Sequence, residues 1–466
     1  MPNNCSVIVE VRNENNKLLS TKTIFDKPIK MPEKIGDLGL AQQEQQKILQ
    51  DIQDIVVNQE VKGMSIFNDG ICPQCGSRLH RNGQQKSLYH GVYADTNVAM
   101  PKLTCSSKSC EWNYNPSIQS YYGDNISPEL SKIQTELGAT TSYRTAKNTL
   151  RIMTGRSRPI NNHMRIRGTT FRAGEGMSSY NKNLSNAKLD RQPAGEDSCN
   201  ICSEVYNGVT CSYSKELVIG VDGAYIHDAD NAGHNFEAMV AKIYNPLNVI
   251  QTSNKRYQII RKQCVGSAMK DEQEVMKEKT LVAAKLEGMD KKTKVIGLAD
   301  GAPNCWNVIK SLIPFCAILE CILDWFHIAK RFVTISNQLP KYAKGFLDSA
   351  KGGLWYGDTN AALLCLQNLR EELKNKDDVK KLDDLIGYIE NNRKYIVCYD
   401  ERAFNGLPFS SQMAESTVEH FVAERFKKKQ KMAWNRENAH IILQVRANLT
   451  SNTFDEYWRA SYGVPI

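Results

Sequence analysis

The chain has 466 residues, of which 41% are hydrophobic and 24% charged, a composition typical of a globular protein with room for two to four domains. No segment is apolar over the length of a membrane span and the polar start does not resemble a signal peptide, so we expect a cytoplasmic protein without a membrane role. The net charge of +9 comes from clustered Lys and Arg residues, which favours a polyanionic partner.

Cysteines dominate the second segment of the chain. Residues 1–65 predict strands and a polar helix without recognisable chemistry, whereas residues 66–120 contain two cysteine pairs, Cys72/Cys75 and Cys105/Cys110, with a strand-rich spacer between them. Without a secretion signal, such pairs indicate metal ligation before disulfides. The pattern predicts a zinc ribbon in which four thiolates hold one structural Zn²⁺. The alternative is four free thiols, and the second pair is spaced by four residues instead of two.

Residues 121–172 predict three helices. Ser127 and Ser142 have the positions of N-caps, and a third helix is expected to begin near residue 157. The third helix is rich in arginine, so we interpret the segment as a helix-turn-helix domain that binds DNA, although any small three-helix domain would show the same apolar stripes. The candidate phosphate contacts are Arg151, Arg156, Arg158, Arg165, Arg167 and Arg172.

Residues 173–215 are rich in Gly, Ser and Asn, and we expect a linker there. Its cysteines Cys199, Cys202 and Cys211 could bind a second metal, but no fourth ligand is evident.

Two acidic residues follow short apolar runs in the second half of the chain. Asp222 follows the run in ELVIGV, and Asp300 follows the run in VIGLA. Desolvation of an acid beside a buried strand costs free energy unless a cation compensates for the lost water. The pair therefore predicts an oxygen-ligand site suited to Mg²⁺. The alternative is that each acid simply ends a strand and starts a turn.

A third acid is expected on a helix within residues 410–431. At 100° per residue Glu415 shares a face with Val418, Val422 and Phe426, whereas Glu424 points away. Glu419 is the fallback candidate, and a surface helix with scattered acids is the alternative. The basic residues Arg425, Lys427, Lys428 and Lys429 follow on this helix and are expected to contact DNA phosphates, although a Lys-rich helix end also favours the helix dipole and solubility.

The order of predicted elements between residues 216 and 449 indicates an α/β fold with a mixed sheet. Strands are expected at 216–226, 234–244, 249–261, 295–299 and 317–323, with helices between the later ones. This is the order of a ribonuclease-H-like catalytic core, 216–327 and 407–449, in which the first and fourth strands are neighbours. Residues 328–406 predict a helical insertion, and residues 450–466 a C-terminal tail.

Four stretches together resemble a known family: VIGVDGAYI, GLADGAPNCWNVI, DWFHIAKR and GLPFSSQMAESTVEHFVAERFKKKQKMAW. They are similar to the DDE transposases of bacterial insertion sequences, specifically the ISKra-type group related to Mutator and MULE elements. The resemblance extends over roughly residues 127–458. It implies Asp222, Asp300 and Glu415 as the catalytic triad, with Asp324 and His327 as accessory residues where the family often has Cys and His.

The resemblance implies metal-dependent phosphoryl transfer on DNA, with Mg²⁺ or Mn²⁺ held by the triad. Water would cut a phosphodiester at the element end, and the freed 3′-OH would attack target DNA. The implied partners are double-stranded terminal repeats and target DNA in the nucleoid, with a homodimer or higher oligomer on DNA. Two other functions remain open: a catalytically silent DNA-binding regulator and a structure-specific ribonuclease-H-like nuclease.

Overall fold

A computed structural model describes residues 3–62, 70–155, 159–190, 215–253, 256–411, 419–428 and 432–464. The chain divides into two compact units, residues 1–170 with 458–466 and residues 171–457. The division between them falls within one long helix. Each unit is described separately below.

The first unit begins with a hairpin and a helix and continues with a small sheet. Its strands are β1 Asn4–Arg12, β2 Leu18–Pro28, β3 Leu79–His90, β4 Asp95–Cys105 and β5 Asn113–Tyr114, and helix α1 Gln42–Lys62 precedes β3. Strands β3, β4 and β5 form an antiparallel sheet in that order. Val57 and Val61 of α1 pack with Val98 and Met100 of β4 in a small apolar core.

Helices occupy the rest of the first unit. They are α2 Ile118–Tyr122, α3 Pro128–Thr140, α4 Tyr143–Thr154 and α5 His163–Asp190. Ser127 caps α3 and Ser142 caps α4 through their side-chain oxygens, as the sequence predicts. The third predicted helix is much longer than expected, because α5 continues through residues 173–190, which we had assigned to a linker.

The long helix explains why a Gly-rich sequence is not a linker here. Ala173 and Met177 are buried, and a Cβ atom on Gly174 would lie 2.7 Å from the carbonyl oxygen of Ile441. Glycine at this position therefore allows close packing of two helices, and the burial of the helix face outweighs the low helix propensity of glycine. Residues 191–214, including the candidate metal ligands Cys199, Cys202 and Cys211, lie outside the described residues.

The second unit is built on a five-stranded mixed sheet. Its elements in chain order are β6 Glu216–His227, β7 Asn235–Tyr244, β8 Val249–Ser253, β9 Arg256–Ile259, β10 Gln263–Ser267, α6 Glu274–Leu286, β11 Lys294–Ala299, α7 Pro303–Lys310 and β12 Ile318–Leu323. The strand order in the sheet is β10-β7-β6-β11-β12. Strands β10, β7 and β6 pair antiparallel, whereas β11 pairs parallel with both β6 and β12. The predicted adjacency of the first and fourth strands is confirmed.

One strand was assigned wrongly. We expected residues 249–261 to form the third strand of the sheet, but β8 and β9 form a separate two-stranded hairpin. The third strand of the sheet is instead β10, which pairs with β7. Strand β10 is short, and its sequence QCVGS has little hydrophobic signal, whereas the hairpin has strong strand propensity but little buried surface.

Helices complete the second unit. They are α8 Trp325–Ser336, α9 Ala343–Trp355, α10 Thr359–Glu372, α11 Lys376–Asn392, α12 Tyr399–Phe404, a π-helix Glu419–Lys428, α13 Arg436–Thr450 and α14 Phe454–Tyr462, whose end belongs to the first unit. Leu347, Leu366 and Leu382 of the predicted insertion share one hydrophobic core with the sheet residues Val218 and Ile296. The insertion is therefore packed onto the sheet.

His440 on α13 gives the second unit a predicted pH dependence. Its Nδ1 lies 3.3 Å from Ser267 Oγ. Burial, helped by the charge of Lys279 and opposed by that of Asp271, lowers the His440 pKa to about 4. Unfolded histidine binds a proton near its ordinary pKa of about 6.5, so protonation favours the unfolded state as the pH falls from about 6.5 towards 4.

We expect the wild-type protein to lose more stability than His440→Gln between pH 7 and pH 4.5, by about 1–3 kcal/mol. The measurement is the urea-unfolding free energy of both proteins across this range. Identical pH profiles for the two proteins would contradict the assignment.

Candidate functional site

Four cysteines meet at one end of the β3–β4 sheet. Cys72 and Cys75 precede β3, Cys105 ends β4, and Cys110 follows it. Their sulfur atoms all lie within 4.8 Å of one another, with Cys72 Sγ 3.8 Å from Cys110 Sγ and Cys75 Sγ 3.4 Å from Cys105 Sγ. Four thiolates at Zn–S bonds of about 2.3 Å are separated by about 3.8 Å, so the group fits a tetrahedral ion. The cluster can hold a structural metal such as zinc.

Local hydrogen bonds prepare this cluster for a metal. The amide of Ser107 donates to Cys105 Sγ at 3.4 Å and favours a thiolate there, but burial and the hydrogen bonds of the neighbouring cysteines outweigh it and raise the Cys105 pKa to about 12. Hydrogen bonds from Ser77, followed by one from Cys105, lower the Cys75 pKa to about 6. A thiolate is the form that ligates metal ions.

We expect the purified wild-type protein to contain about one zinc ion per chain. The double variant Cys75→Ser/Cys110→Ser should contain almost none, because a tetrahedral site that has lost two of its ligands no longer retains the ion. Elemental analysis and thermal unfolding measure both effects. Cys5→Ser is the matched control, since Cys5 is exposed and lies outside the cluster. Full zinc content in the double variant would contradict the site.

Three acids lie side by side across three neighbouring strands of the second unit's sheet. Ala299 of β11 pairs with Val221 of β6 and with Leu323 of β12. One residue further along, this register places Asp300 between Asp222 and Asp324, on strands about 4.8 Å apart. The Asp324 amide donates to the Ala299 carbonyl at 2.9 Å, which continues the pairing past the strand end. Residues aligned in parallel strands point to the same face, so the three carboxylates share it.

The two outer acids of this row meet at His327. Its Nε2 lies 3.9 Å from Asp222 Oδ2 and 3.8 Å from Asp324 Oδ2. Asp324 is 3% exposed, and its Oδ1 accepts hydrogen bonds from the amides of Phe326 and Ser411 at 2.9 and 3.0 Å. Asp324 therefore caps helix α8 and fixes His327 beside Asp222.

The charge of Asp222 is costly in this environment. Burial raises the Asp222 pKa, the nearby His327 and the Gly223 amide lower it, and the negative charges of Asp300 and Asp324 raise it further. A cation at this edge would relieve the repulsion between the acids. Within the part of the chain that the structure describes, however, only the four cysteines form a group of three or more potential ligands within 4.8 Å of one another.

Two side chains from the predicted insertion hold the turn that contains Asp300. The Tyr388 hydroxyl donates to the Asp300 carbonyl oxygen at 2.9 Å. Gly301 has a φ of +101°, and a Cβ atom there would lie 2.7 Å from Asn392 Nδ2. The Asp300 carboxylate accepts the Ala302 amide at 2.9 Å. The conformation of this turn therefore depends on helix α11.

Sequence reasoning missed several polar residues near the acids, among them Glu237, which the register places on the sheet face opposite to Asp222. Glu237 Oε2 accepts a hydrogen bond from Asn304 Nδ2 at 2.8 Å, and its other oxygen approaches Gly223, where a Cβ atom would not fit. Burial, and then the charges of Asp300, Asp222 and Glu237, raise the Cys305 pKa, so its thiol stays protonated. The only available signal for Glu237 was an acidic residue in the mostly apolar strand β7.

The segment expected to supply the third acid is only partly described. Glu415, Lys429, Arg156 and Arg158 lie outside the described residues. The fallback residue Glu419 begins the π-helix. Phe421 of this helix packs on β10, since a Cβ atom on Gly266 would lie 2.6 Å from Phe421 Cε1. Gly266 pairs with Val240, and Val240 pairs with Asp222, so the π-helix covers the Asp222 face of the sheet.

Arg425 differs from its expected role. Its side chain is buried, and its guanidinium stacks on the Trp434 ring at 4.7 Å, so it is not on the surface as a phosphate contact requires. Lys427 and Lys428 end the π-helix. In the first unit, Arg165 on α5 is exposed, so it is accessible to nucleic acid. Arg167 on the same helix is half-buried.

A protein-family model matches part of the chain. The model of an uncharacterised protein family (UPF0236) matches residues 267–457, less than half of the chain. The matched range includes Asp300, Asp324 and His327 but begins after Asp222. No curated protein matches the chain. Among the described residues, no helix is both long and apolar enough to cross a membrane.

Proposed function

We propose that this protein is a DNA transposase of the DDE type, which cuts the ends of its mobile element and joins them to target DNA. The observation that supports this most strongly is the alignment of Asp222 and Asp300 on neighbouring parallel strands, beneath the helix that follows Glu415. The strand order, with three antiparallel strands followed by two parallel ones, is also the order expected of a ribonuclease-H-like core.

In this proposal Asp222, Asp300 and Glu415 would hold Mg²⁺ or Mn²⁺, and the bound ions would supply Lewis-acid activation of the nucleophile and neutralisation of phosphate charge. The donor chemistry fits, because carboxylate oxygens suit these cations and the Asp222 pKa is raised by burial and by other acids. Asp324 and His327 are assigned as positioning residues, since Asp324 caps α8 and the imidazole lies 3.8–3.9 Å from the two outer carboxylates.

Other parts of the chain fit DNA recognition. The Ser-capped helices α3 and α4 and the exposed Arg165 on α5 would bind the terminal repeats as a helix-turn-helix domain. Two element ends must be brought together, so we propose a homodimer or larger assembly on DNA in the nucleoid.

The test uses a supercoiled plasmid that carries the DNA flanking this gene, incubated with the purified protein and Mg²⁺. We expect cuts at the flanks and joined products, both reduced by more than about 100-fold in Asp222→Asn and in Glu415→Gln, because each variant loses a metal ligand. Asp230→Asn is the matched control, since Asp230 is exposed in the turn that follows β6.

The products distinguish the competing functions. Cutting without joining would indicate a nuclease on the same fold. Specific binding to the flanks without any cutting, equal in all variants, would indicate a regulator. The absence of both binding and cutting would overturn the proposal.

A further inference from the structure

We infer that the exposed face of helix α8, continued by the start of α9, is a docking surface for the phosphate backbone of duplex DNA beside the row of acids. We call it the α8–α9 basic surface, and it consists of Lys330 and Arg331 on α8, Lys341 in the segment between the two helices and Lys344 in the first turn of α9. The inference rests on the proposed function, because it places the DNA that reaches Asp222 and Asp300.

Helix periodicity places the first two cations next to the acids. His327, Lys330, Arg331 and Thr334 are spaced i, i+3, i+4 and i+7, so they share one face of α8. The opposite face is buried in the core through Ile328, Phe332 and Ile335. Since His327 lies 3.9 Å from Asp222 and the helix rises about 1.5 Å per residue, Lys330 and Arg331 lie about one turn beyond the site.

A second contact places the same face beside Asp300. The Arg331 guanidinium stacks on the Tyr388 ring at 4.0 Å, and the Tyr388 hydroxyl donates to the Asp300 carbonyl at 2.9 Å. Two independent contacts thus connect the basic face to both acids of the proposed pair. Stacking leaves the edge of a guanidinium free to bind a phosphate.

The charge of this region suits a polyanion. Residues 325–355 contain five Lys or Arg residues and one carboxylate, Asp348. Lys330, Arg331, Lys341 and Lys344 are all exposed, and none forms an ion pair with a carboxylate in the described ranges. By contrast, α10 and α11 contain intrahelical and interhelical pairs such as Arg370–Asp383 and Lys381–Asp378.

Electrostatics requires such a surface near the site. The row of acids repels the phosphates of any DNA strand that approaches it, and only the phosphates at the reacting position would meet a metal ion. Cations that flank the row can neutralise the neighbouring phosphates and release their counterions. In this inference the α8–α9 basic surface binds those flanking phosphates.

The experiment measures binding of the full-length protein to a 30-bp DNA duplex of arbitrary sequence, without added divalent metal, across NaCl concentrations. The variant is Lys330→Gln/Lys344→Gln. We expect roughly tenfold weaker binding at 0.1 M NaCl and a slope of log affinity against log salt smaller by about 2, because each phosphate contact contributes about 0.9.

The matched control is Lys215→Gln/Lys291→Gln, which removes the same charge from exposed lysines that precede β6 and β11, at the end of the sheet opposite the acids. The inference is supported if the slope of log affinity against log salt is unchanged in the control and reduced in Lys330→Gln/Lys344→Gln. Equal reductions of the slope in both proteins overturn the inference, since net charge alone then explains the effect. Wild-type slope in Lys330→Gln/Lys344→Gln also overturns it, while leaving the proposed function intact. Failure of the wild-type protein to bind any DNA overturns both.

Discussion

The parallel pairing of β6 with β11 is the constraint on which the candidate site depends. Side chains alternate between the two faces of a strand, so a shift of one residue in this pairing would move one acid to the opposite face. Such a shift would also exchange the side chains packed on the two faces, since Leu217, Val218 and Ile219 of β6 and Val295 and Ile296 of β11 are fully buried, and close-packed interiors tolerate such changes of shape poorly. The apolar strands therefore determine the distance between two polar groups, Asp222 and Asp300, that contribute nothing to the core.

Much of the second unit could be predicted from sequence, because its central strands are continuous apolar runs that only a sheet covered on both faces explains. The errors share a physical cause, namely that local composition was overruled by packing. Strand β10 has a weak hydrophobic signal, yet it gains a place in the sheet by pairing with β7. Helix α5 contains Gly174, which permits contact with Ile441, so residues typical of a linker form a buried helix face.

The acids themselves could be predicted because they interrupt apolar runs, and the cysteines because their spacing is short and paired. Tyr388 could not, since it lies 88 positions after Asp300 and only tertiary packing brings it to that turn. Arg425 was misjudged because it was grouped with the lysines that follow it, whereas its side chain is buried with Phe421, Val422 and Phe426 on one side of the π-helix Glu419–Lys428 and stacks on Trp434.

The hydrogen bond between Tyr388 and the Asp300 carbonyl joins residues 88 positions apart in the chain. It connects the helical insertion to the turn that contains Asp300. In the same turn, Asn392 of the insertion fills the space that a side chain at Gly301 would need. The insertion and the sheet therefore depend on each other structurally and should be inherited as one unit. Recombination that exchanged the insertion for an unrelated segment would leave this turn without its support, so related chains should acquire or lose both parts together.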